Sequence, residues 1–268
     1  MLTKFQTVIK KFNLLNGVGE FVLLFSGGKD CTFLLDMLVN CFPSVTSKLE
    51  ALCVMYPHHM YCDMSGDLSS FIDVKAYWAV RGVKITYVNP SYADFDDDDL
   101  SGCELCKVAR KTVIDSHIVA KTKGTGILTG YTLYDALAYF NMLLYATGLN
   151  LKTFKELPTE STTSLVKTLH KVKARETLPS GKIMIRPLLW FNETEIKDYL
   201  SYKEIPYIDT PCKIAKYKFK RRYFSVLDVC TNSLPSYDNI LDALHRHDIL
   251  LDKLPFDKMV ADNFFVDC

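Results

Sequence analysis

The residues with the clearest chemical signature lie in one short stretch near the start of the chain. An apolar run from Phe21 to Phe25 is followed by Ser26-Gly27-Gly28-Lys29-Asp30 and then by an amphipathic segment over about 32–41. This order predicts a buried strand, a glycine-rich loop and a helix. Glycines let the backbone approach an anion, a helix N-terminus favours negative charge, and Lys29 and Ser26 add a cation and a hydroxyl. We therefore predict a phosphate-binding loop.

Asp30 is unusual in such a loop, because its carboxylate would repel a phosphate. A carboxylate fits at this position when it holds a divalent cation that bridges phosphates. The loop is therefore predicted to bind a nucleotide together with Mg²⁺. Its spacing matches neither the Walker pattern nor the dinucleotide GxGxxG pattern.

The apolar runs predict the elements that must position this loop. Further strands are expected at 49–56, 83–88, 126–130 and 182–186, alternating with helices at about 66–81, 104–121, 132–148 and 193–203. Such alternation predicts an α/β fold with a mainly parallel sheet and helices on both faces. The polar segment 150–182 has no clear period and is expected to be an insertion. The predicted organisation is an N-terminal helix over 1–20, a nucleotide-binding domain over 21–228 and a C-terminal helical extension over 229–268.

Composition restricts the class of protein only weakly. The 268 residues carry 32 basic and 31 acidic side chains, so the net charge of +1 neither requires nor excludes a nucleic acid partner. No apolar stretch is long enough to cross a bilayer, and residues 1–20 lack the pattern of a signal peptide, so we expect a cytoplasmic location and no membrane partner. Nine cysteines in this setting indicate buried thiols and a metal or redox site rather than disulfides. Cys41, Cys53 and Cys230 have apolar neighbours and are expected in the core.

A second chemical motif is Cys103-Glu104-Leu105-Cys106, in which two thiolates can bind one soft metal or cluster. No second CxxC and no pair of histidines follows it, and Cys212, Cys230 and Cys268 stand singly. A metal site and a redox pair both remain open on the spacing alone.

The motifs together resemble one superfamily in composition and order. Ser26-Gly27-Gly28-Lys29-Asp30 resembles the SGGxDS signature of the PP-loop, or N-type ATP pyrophosphatase, superfamily, whose members cleave ATP to AMP and pyrophosphate while adenylylating a substrate. Within it, the chain is similar to the tRNA 2-thiolation enzymes typified by tRNA 2-thiocytidine and 2-thiouridine synthetases, from about residue 20 to about residue 228. The matching residues after the loop are Cys103, Cys106, Arg110, Lys111, Thr129, Gly130, Leu133, Asp135, Arg186-Pro187-Leu188, Glu195-Ile196, Ile205-Pro206 and Cys212.

This resemblance implies a fold, an activity and a set of site residues. The implied fold is adenine nucleotide alpha hydrolase-like, a Rossmann-like arrangement, and the implied enzyme is an ATP-dependent sulfurtransferase that adenylylates a nucleobase carbonyl in tRNA and replaces its oxygen with sulfur. Cys103, Cys106 and Cys212 would ligate three irons of a [4Fe–4S] cluster whose fourth iron stays open. The predicted nucleotide-binding residues are Ser26, Gly27, Gly28, Lys29, Asp30, Cys31 and Gly130, with Asp30 holding Mg²⁺. The catalytic candidates are Asp30, Arg110, Lys111 and Asp135.

The chain also departs from the superfamily pattern at several positions. Cys31 stands where a serine is usual, and Tyr131 and Tyr134 replace a histidine and the first of two adjacent aspartates. The paired zinc-binding motifs of the 2-thiouridine branch are missing. The substrate could therefore differ from that of either tRNA enzyme.

The densest basic run directly follows Cys212. It contains Lys213, Lys216, Lys218, Lys220, Arg221 and Arg222, interleaved with Tyr217, Phe219 and Tyr223. Cations neutralise phosphates and aromatic rings stack on unpaired bases, so the run is predicted to bind RNA. The alternative for any such run is a solvated helix face.

The predicted partners are tRNA or another nucleic acid substrate, a sulfur donor (sulfide or a carrier) and a second copy of the chain as a homodimer. Two alternatives stay open. One is a PP-loop ligase, amidotransferase or DNA-sulfur-modification enzyme whose cysteines hold zinc. The other is a nucleotide-binding redox sensor without catalytic activity.

Overall fold

The computed structural model describes residues 1–55, 69–88, 90, 102–147, 166, 169–209, 219–246 and 248–254. Only the backbone is described for residues 69, 70, 102–105, 107, 142–147, 219–222 and 231. The strands are β1 Phe21–Leu24, β2 Leu49–Val54, β3 Ile85–Val88, β4 Gly126–Leu128, β5 Arg175–Thr177 and β6 Ile183–Ile185. The helices are α1 Leu2–Lys11, α2 Lys29–Cys41, α3 Pro43–Thr46, α4 Ser69–Val80, α5 Gly102–Val119, α6 Leu133–Thr147, α7 Glu193–Tyr202, α8 Phe219–Val229 and α9 Tyr237–Arg246, with short 3-10 turns at Pro187–Trp190, Thr231–Ser233 and Leu251–Lys253.

The described strands form one six-stranded sheet in the order β3-β2-β1-β4-β6-β5. Four of its strand pairs are parallel, and only β5 runs antiparallel to its neighbour β6. The predicted α/β fold with a mainly parallel sheet is confirmed. Within the polar segment 150–182, which was expected to be an insertion, Arg175–Thr177 pairs with β6 and forms an edge of the sheet, a strand that the sequence did not predict.

Strand β1 shows how the sheet is covered on both faces. Phe21 and Leu23 belong to the same core cluster as Phe33 of α2 and Phe5 of α1. Val22 and Leu24 point the other way, toward the cluster that includes residues of α5. A strand buried on both faces needs a continuous apolar sequence, which is what residues 21–24 provide.

The order of the strands defines where a ligand can bind. After β1 the chain moves outward through β2 to β3, and β4 then returns to the other side of β1. The connection after β1 leads to one side of the sheet and the connection after β4 leads to the other. The two connections therefore diverge at the carboxyl ends of β1 and β4, which leaves a crevice at this switch point. The predicted phosphate loop directly follows β1, and Thr129-Gly130 directly follows β4.

The helix α1 packs onto the same core. Phe5 is fully buried and lies with ring centroids 6.2 Å from Phe191, and Lys4 forms a bidentate ion pair with Glu195 of α7. The domain boundaries at 20 and 228 stay predictions.

The cysteines expected in the core differ in exposure. Cys53 in β2 is fully buried, whereas Cys41 is half-buried and Cys230, directly after α8, is exposed. Cys230 follows the last turn of a surface helix, so its apolar sequence neighbours did not indicate burial. Among the described helices, none combines the length and apolar character required of a bilayer-spanning segment.

Candidate nucleotide site at the carboxyl edge of the sheet

The loop between β1 and α2 has the backbone geometry that its glycines suggested. Gly27 has φ = +76°, a conformation that glycine adopts without strain. Gly28 is the N-cap residue of α2 and has no side chain that could bond to the first N–H groups of the helix. A helix N-terminus of this kind is suited to bind an anion. The structure thus brings Ser26, Gly27, Gly28 and the start of α2 together at the switch point.

Gly130 makes the closest approach between the two halves of the sheet. A Cβ atom added at Gly130 would lie 3.0 Å from the Cys31 Sγ atom, 3.1 Å from the Cys31 nitrogen and 3.3 Å from the Asp30 carbonyl carbon. Two of these atoms are backbone and cannot rotate away. The end of β4 therefore packs directly on the first turn of α2, and glycine is needed for this contact.

Cys31 stands where a serine is usual, and its thiol packs beneath the loop. Its thiol is buried, lies 3.3 Å from the Leu24 carbonyl oxygen and lies 3.6 Å from Ser26 Oγ. Burial raises the pKa of the Cys31 thiol, while hydrogen bonds from Ser26 and Gly130 oppose the increase. Cys31 is a neutral packing residue beneath the loop at physiological pH.

Lys29 lies between two carboxylates. Its Nζ atom is 3.1 Å from Asp30 Oδ2 and 3.2 Å from Oε2 of Glu193, the first residue of α7. Burial alone would lower the pKa of the Lys29 ammonium, but Asp30 and Glu193 outweigh it and raise this pKa above its ordinary value. Lys29 therefore stays charged.

The Asp30 carboxyl group is held in an unfavourable environment. A quarter of its side-chain surface is exposed, yet its Oδ1 atom is enclosed and accepts no hydrogen bond from the described residues. Burial raises the pKa of Asp30 to about 6; Lys29 opposes this increase, and Glu193 and Asp135 add to it. An enclosed carboxylate oxygen without a donor fits a site for a divalent cation.

A short segment after α7 covers the loop from outside. We call residues 205–209 the strap. The Ile208 N–H donates to the Gly27 carbonyl oxygen at 2.8 Å, and a Cβ atom at Gly27 would lie 2.3 Å from Ile208 Cδ1. Gly27 therefore permits both the turn of the loop and the packing of the strap against it.

The residues after β4 form hydrogen bonds and ring contacts that fix the start of α6 and the packing around it. Asp135 Oδ2 accepts hydrogen bonds from the Thr132 N–H at 2.8 Å and the Thr132 hydroxyl at 3.1 Å, which fixes the start of α6. Tyr131, at the position of the family's histidine, is buried with its ring centroid 5.7 Å from the Arg186 guanidinium. Tyr134 is fully buried, and its ring lies 5.7 Å from that of Phe224 in α8. The replacement at Tyr134 thus packs α8 against α6.

The helix α5 carries the CxxC motif in its first turns. Because α5 follows β3, its N-terminus lies at the carboxyl edge of the sheet. Cys106 is buried, whereas only the backbone of Cys103 is described. Arg110 is near Cys53 at the end of β2: burial raises the pKa of that thiol to about 12, and the Arg110 charge lowers it in part. Lys111 forms an ion pair with Asp115 one turn later.

Several predicted site residues lie outside the described residues. Cys212, Lys213, Lys216 and Lys218 belong to this group, and Lys220, Arg221 and Arg222 are described only as backbone in the first turn of α8. The convergence of the three cysteines therefore stays a prediction. Within the part of the chain that is described, no group of three or more His, Cys, Asp or Glu side chains is arranged to hold a metal ion.

Two features of the site were missed from the sequence. Glu193 was not singled out, although its place in the first turn of a helix after β6 indicates the carboxyl edge of the sheet. The strap was known only as the Ile205-Pro206 motif, and nothing in its residue types indicates a hydrogen bond to Gly27.

Comparisons with known proteins agree with this geometry. A scan against models of protein families finds no match for the chain. A curated relative, tRNA-cytidine(32) 2-sulfurtransferase from Cytophaga hutchinsonii, is 24% identical over 222 residues, which cover 78% of this chain and 65% of the relative. The chain thus spans about two thirds of that protein's length. The resemblance to tRNA 2-thiolation enzymes, inferred from the motifs, is confirmed by this similarity.

A solved structure shares the fold. The U34-tRNA thiolase NcsA from Methanococcus maripaludis, determined with its [4Fe–4S] cluster, superposes with a TM-score of 0.62 at 17% identity, covering 94% of this chain and 79% of that one. At this identity the likeness confirms the Rossmann-like fold.

We predict that Gly130→Ala destabilises the protein by about 1–3 kcal/mol, because the added methyl group must displace the backbone of α2. Denaturant unfolding measures this loss. Gly19→Ala is the matched control, since a Cβ atom there meets no other atom within 4 Å. Equal stability of the two variants would contradict the close packing of β4 on α2.

A second prediction concerns the Asp30 proton. The folded protein keeps this proton up to about pH 6, whereas the unfolded chain releases it near pH 3.8, so stability falls as pH rises through this window. Asp30→Asn removes the titration. The free energy of unfolding of this variant, relative to that of the unmodified protein, should therefore increase by about 1–3 kcal/mol as the pH rises from 4.5 to 8. Urea unfolding across this range tests it. Asp198→Asn, at an exposed position on α7, should show no such pH-dependent gain, and a constant effect of Asp30→Asn at all pH values would refute the raised pKa.

Proposed function

We propose that the protein is an ATP-dependent sulfurtransferase that activates a nucleobase carbonyl of tRNA by adenylylation and replaces its oxygen with sulfur. The reaction has a chemical rationale. The carbonyl oxygen of a base is a poor leaving group, and attachment of AMP converts it into a good one. Cleavage of ATP to AMP and pyrophosphate supplies that AMP. A tRNA substrate would agree with the cytoplasmic location predicted from the sequence.

The observation that carries the proposal is the hydrogen bond from Ile208 to Gly27. It fastens the strap to the phosphate loop four residues before Cys212. An extended chain covers about 3.5 Å per residue, so the four residue steps from Ile208 to Cys212 allow a distance of at most about 14 Å between them. The α5 N-terminus with Cys103 and Cys106 lies at the same edge of the sheet. A nucleotide site with three thiols within reach of it would meet the requirement of an ATP-dependent thiolation.

The thiols are suited to an iron–sulfur cluster. Cys103, Cys106 and Cys212 would ligate three irons of a [4Fe–4S] cluster, since thiolates are the usual ligands of such clusters. When bound, a cluster with one iron not ligated by protein would supply a site for the sulfur that is transferred. The burial of Cys106 agrees with this role, because cluster ligands are shielded from solvent.

The remaining residues have roles in binding and charge stabilisation. Ser26, Gly27, Gly28, Lys29, Cys31 and Gly130 form the phosphate-binding loop and its support. Asp30, with its enclosed and unbonded Oδ1 atom, would hold the Mg²⁺ that accompanies ATP. Arg110 and Lys111 would stabilise negative charge that develops on the phosphate and on the base oxygen. Asp135 would orient the helix that begins next to the bound nucleotide.

The basic run is proposed to bind the tRNA. Phe224 of α8 packs on Tyr134 near the start of α6, and Arg221 lies one helical turn before Phe224. The helix α6 starts three residues after Gly130 and so begins at the edge that carries the nucleotide loop. A cationic helix anchored there is suited to hold RNA phosphates while an unpaired base enters the crevice. The sulfur donor and a homodimer stay predictions.

The cysteine ligands can be tested by substitution. Cys106→Ser should lose a cluster, detected as visible absorbance, iron and sulfide after anaerobic purification, and should form no thiolated nucleoside with ATP, tRNA and sulfide, as measured by mass spectrometry. Binding of ATP should persist, because the loop does not depend on this thiol. Cys230→Ser, at an exposed single cysteine, is the control and should retain both properties.

Other outcomes of the same experiment identify other functions. A colourless unmodified protein with one zinc per chain that still releases AMP would favour a PP-loop ligase. Binding of ATP without any release of AMP in the presence of tRNA would favour a nucleotide sensor. Either result would overturn the proposed reaction.

The basic run is tested by charge reversal at Lys218, Arg221 and Arg222. Affinity for tRNA should fall, and the slope of log K against log salt should decrease by about 2, because fewer counterions are released. Filter binding over a salt series measures both quantities.

The control reverses three exposed lysines at the opposite edge of the sheet, where each precedes a parallel strand. These lysines are Lys48, Lys84 and Lys123. Charge reversal at these three lysines should leave the slope of log K against log salt unchanged. Equal effects of the two triple variants would show that RNA is attracted by overall charge and not by the run after Cys212.

A further inference from the structure

Glu193 is a buried acid at the candidate site that no motif assigned. Only 4% of its surface is exposed, and its Oε2 atom lies 3.2 Å from Lys29 Nζ. Enclosing a carboxylate is costly unless a cation compensates it. A buried acid next to a loop that is suited to phosphate is therefore unfavourable unless a bound group compensates its charge.

Glu193 and Asp30 share one buried cation. Each contacts the Lys29 ammonium through one carboxylate oxygen, at 3.2 and 3.1 Å, so the two carboxylates face the same nitrogen. The other cation near Glu193 is Lys197, 3.7 Å away, which is 45% exposed and also lies 3.8 Å from Asp228. Two enclosed negative charges are thus compensated mainly by the single charge of Lys29.

The second carboxylate oxygen of each acid has no hydrogen-bond donor in the part of the chain that the structure describes. Glu193 Oε1 and Asp30 Oδ1 are both buried and accept no hydrogen bond from the described residues. Another acid on α2 does have a donor: Asp36 is 5% exposed and accepts a 2.8 Å hydrogen bond from the Tyr199 hydroxyl. Carboxylate oxygens without donors are the ligands that a hard divalent cation requires.

We propose that Glu193 and Asp30 together bind the divalent cation that accompanies the nucleotide, and that Lys29 moves from this carboxylate pair to the nucleotide phosphates on binding. The inference rests on the proposed function and extends it by a second metal-binding residue. Proteins commonly hold Mg²⁺ with one or two carboxylates and complete its shell with substrate phosphates and water. That mode fits a site where no third acidic, histidine or cysteine ligand is arranged among the described residues.

The charges make nucleotide and cation binding depend on each other. A nucleotide that binds without a divalent cation must draw Lys29 away from two enclosed carboxylates and leave them uncompensated, which is strongly unfavourable. A cation that takes the place of the ammonium between Asp30 and Glu193 removes this cost. Tight binding is therefore expected only when both are present.

The test compares Glu193→Gln with the unmodified protein, using the non-cleavable α,β-methylene analogue of ATP. Calorimetry measures the affinity for this analogue with and without Mg²⁺, and electron paramagnetic resonance measures bound Mn²⁺. The Mg²⁺-dependent gain in affinity should fall by about tenfold or more in Glu193→Gln. Affinity without Mg²⁺ should be unchanged or higher, because Lys29 is held by one carboxylate fewer. Asp198→Asn, an isosteric loss of charge at an exposed position on the same helix, should behave like the unmodified protein.

Glu193→Asp separates a ligand from a structural support. The shorter acid keeps the charge and should restore part of the Mg²⁺ gain. If Glu193→Gln weakens the analogue equally with and without Mg²⁺, Glu193 only supports the loop and the inference is wrong. If Glu193→Gln keeps the full Mg²⁺ gain, the inference is also wrong, while the nucleotide function stands. If the unmodified protein does not bind the analogue with Mg²⁺, both the inference and the proposed function fail.

Discussion

The contact between Gly130 and the first turn of α2 is the constraint on which the site depends. Because no side chain separates them, the end of β4 fixes the position of Asp30 and Cys31 relative to the sheet. The loop before α2 is therefore held from below by β1, from one side by β4 and from outside by the strap. A phosphate loop that is supported on three sides needs little rearrangement to bind its ligand, and such preorganisation reduces the entropy lost on binding.

The distribution of charge follows from the same packing. Lys29 cannot extend freely into solvent, so the acids that it meets are those that the neighbouring elements bring to it: Asp30 from its own helix and Glu193 from α7. Burial raises the pKa of Asp30 to about 6, and yet the site retains this acid. A residue that costs stability and contributes no hydrogen bond through Oδ1 is most simply explained by a ligand that the protein has to bind.

Much of the fold could be predicted from the sequence, because the strands of a sheet covered on both faces are continuous apolar runs and the helices between them are long. Arg175–Thr177 was missed because it has no apolar run; its pairing with β6 alone makes it a strand. The turn between β1 and α2 was predicted from its glycines and from its position between an apolar run and an amphipathic segment, and its role in phosphate binding stays a prediction. Glu193 and Ile208 were not singled out, since their contacts with the loop arise from tertiary packing of distant segments. The position of Glu193 in the first turn of a helix after β6 indicates the edge of the sheet but not its ion pair with Lys29, and the residue type of Ile208 gives no signal for its hydrogen bond to Gly27.

The tyrosines that depart from the superfamily pattern lie after β4, and one of them, Tyr134, contacts α8. Tyr134, which replaces an acid, has become a packing residue that holds Phe224 of α8, and α8 begins with Lys220, Arg221 and Arg222. An aromatic ring at this position carries no negative charge, and its contact with Phe224 packs α8 against α6. Under the proposed function, both features would favour a polyanionic substrate. The phosphate loop thus resembles the superfamily signature at Ser26-Gly27-Gly28-Lys29-Asp30 and departs from it at Cys31, whereas the tyrosines after β4 depart from it where the proposed RNA substrate would approach.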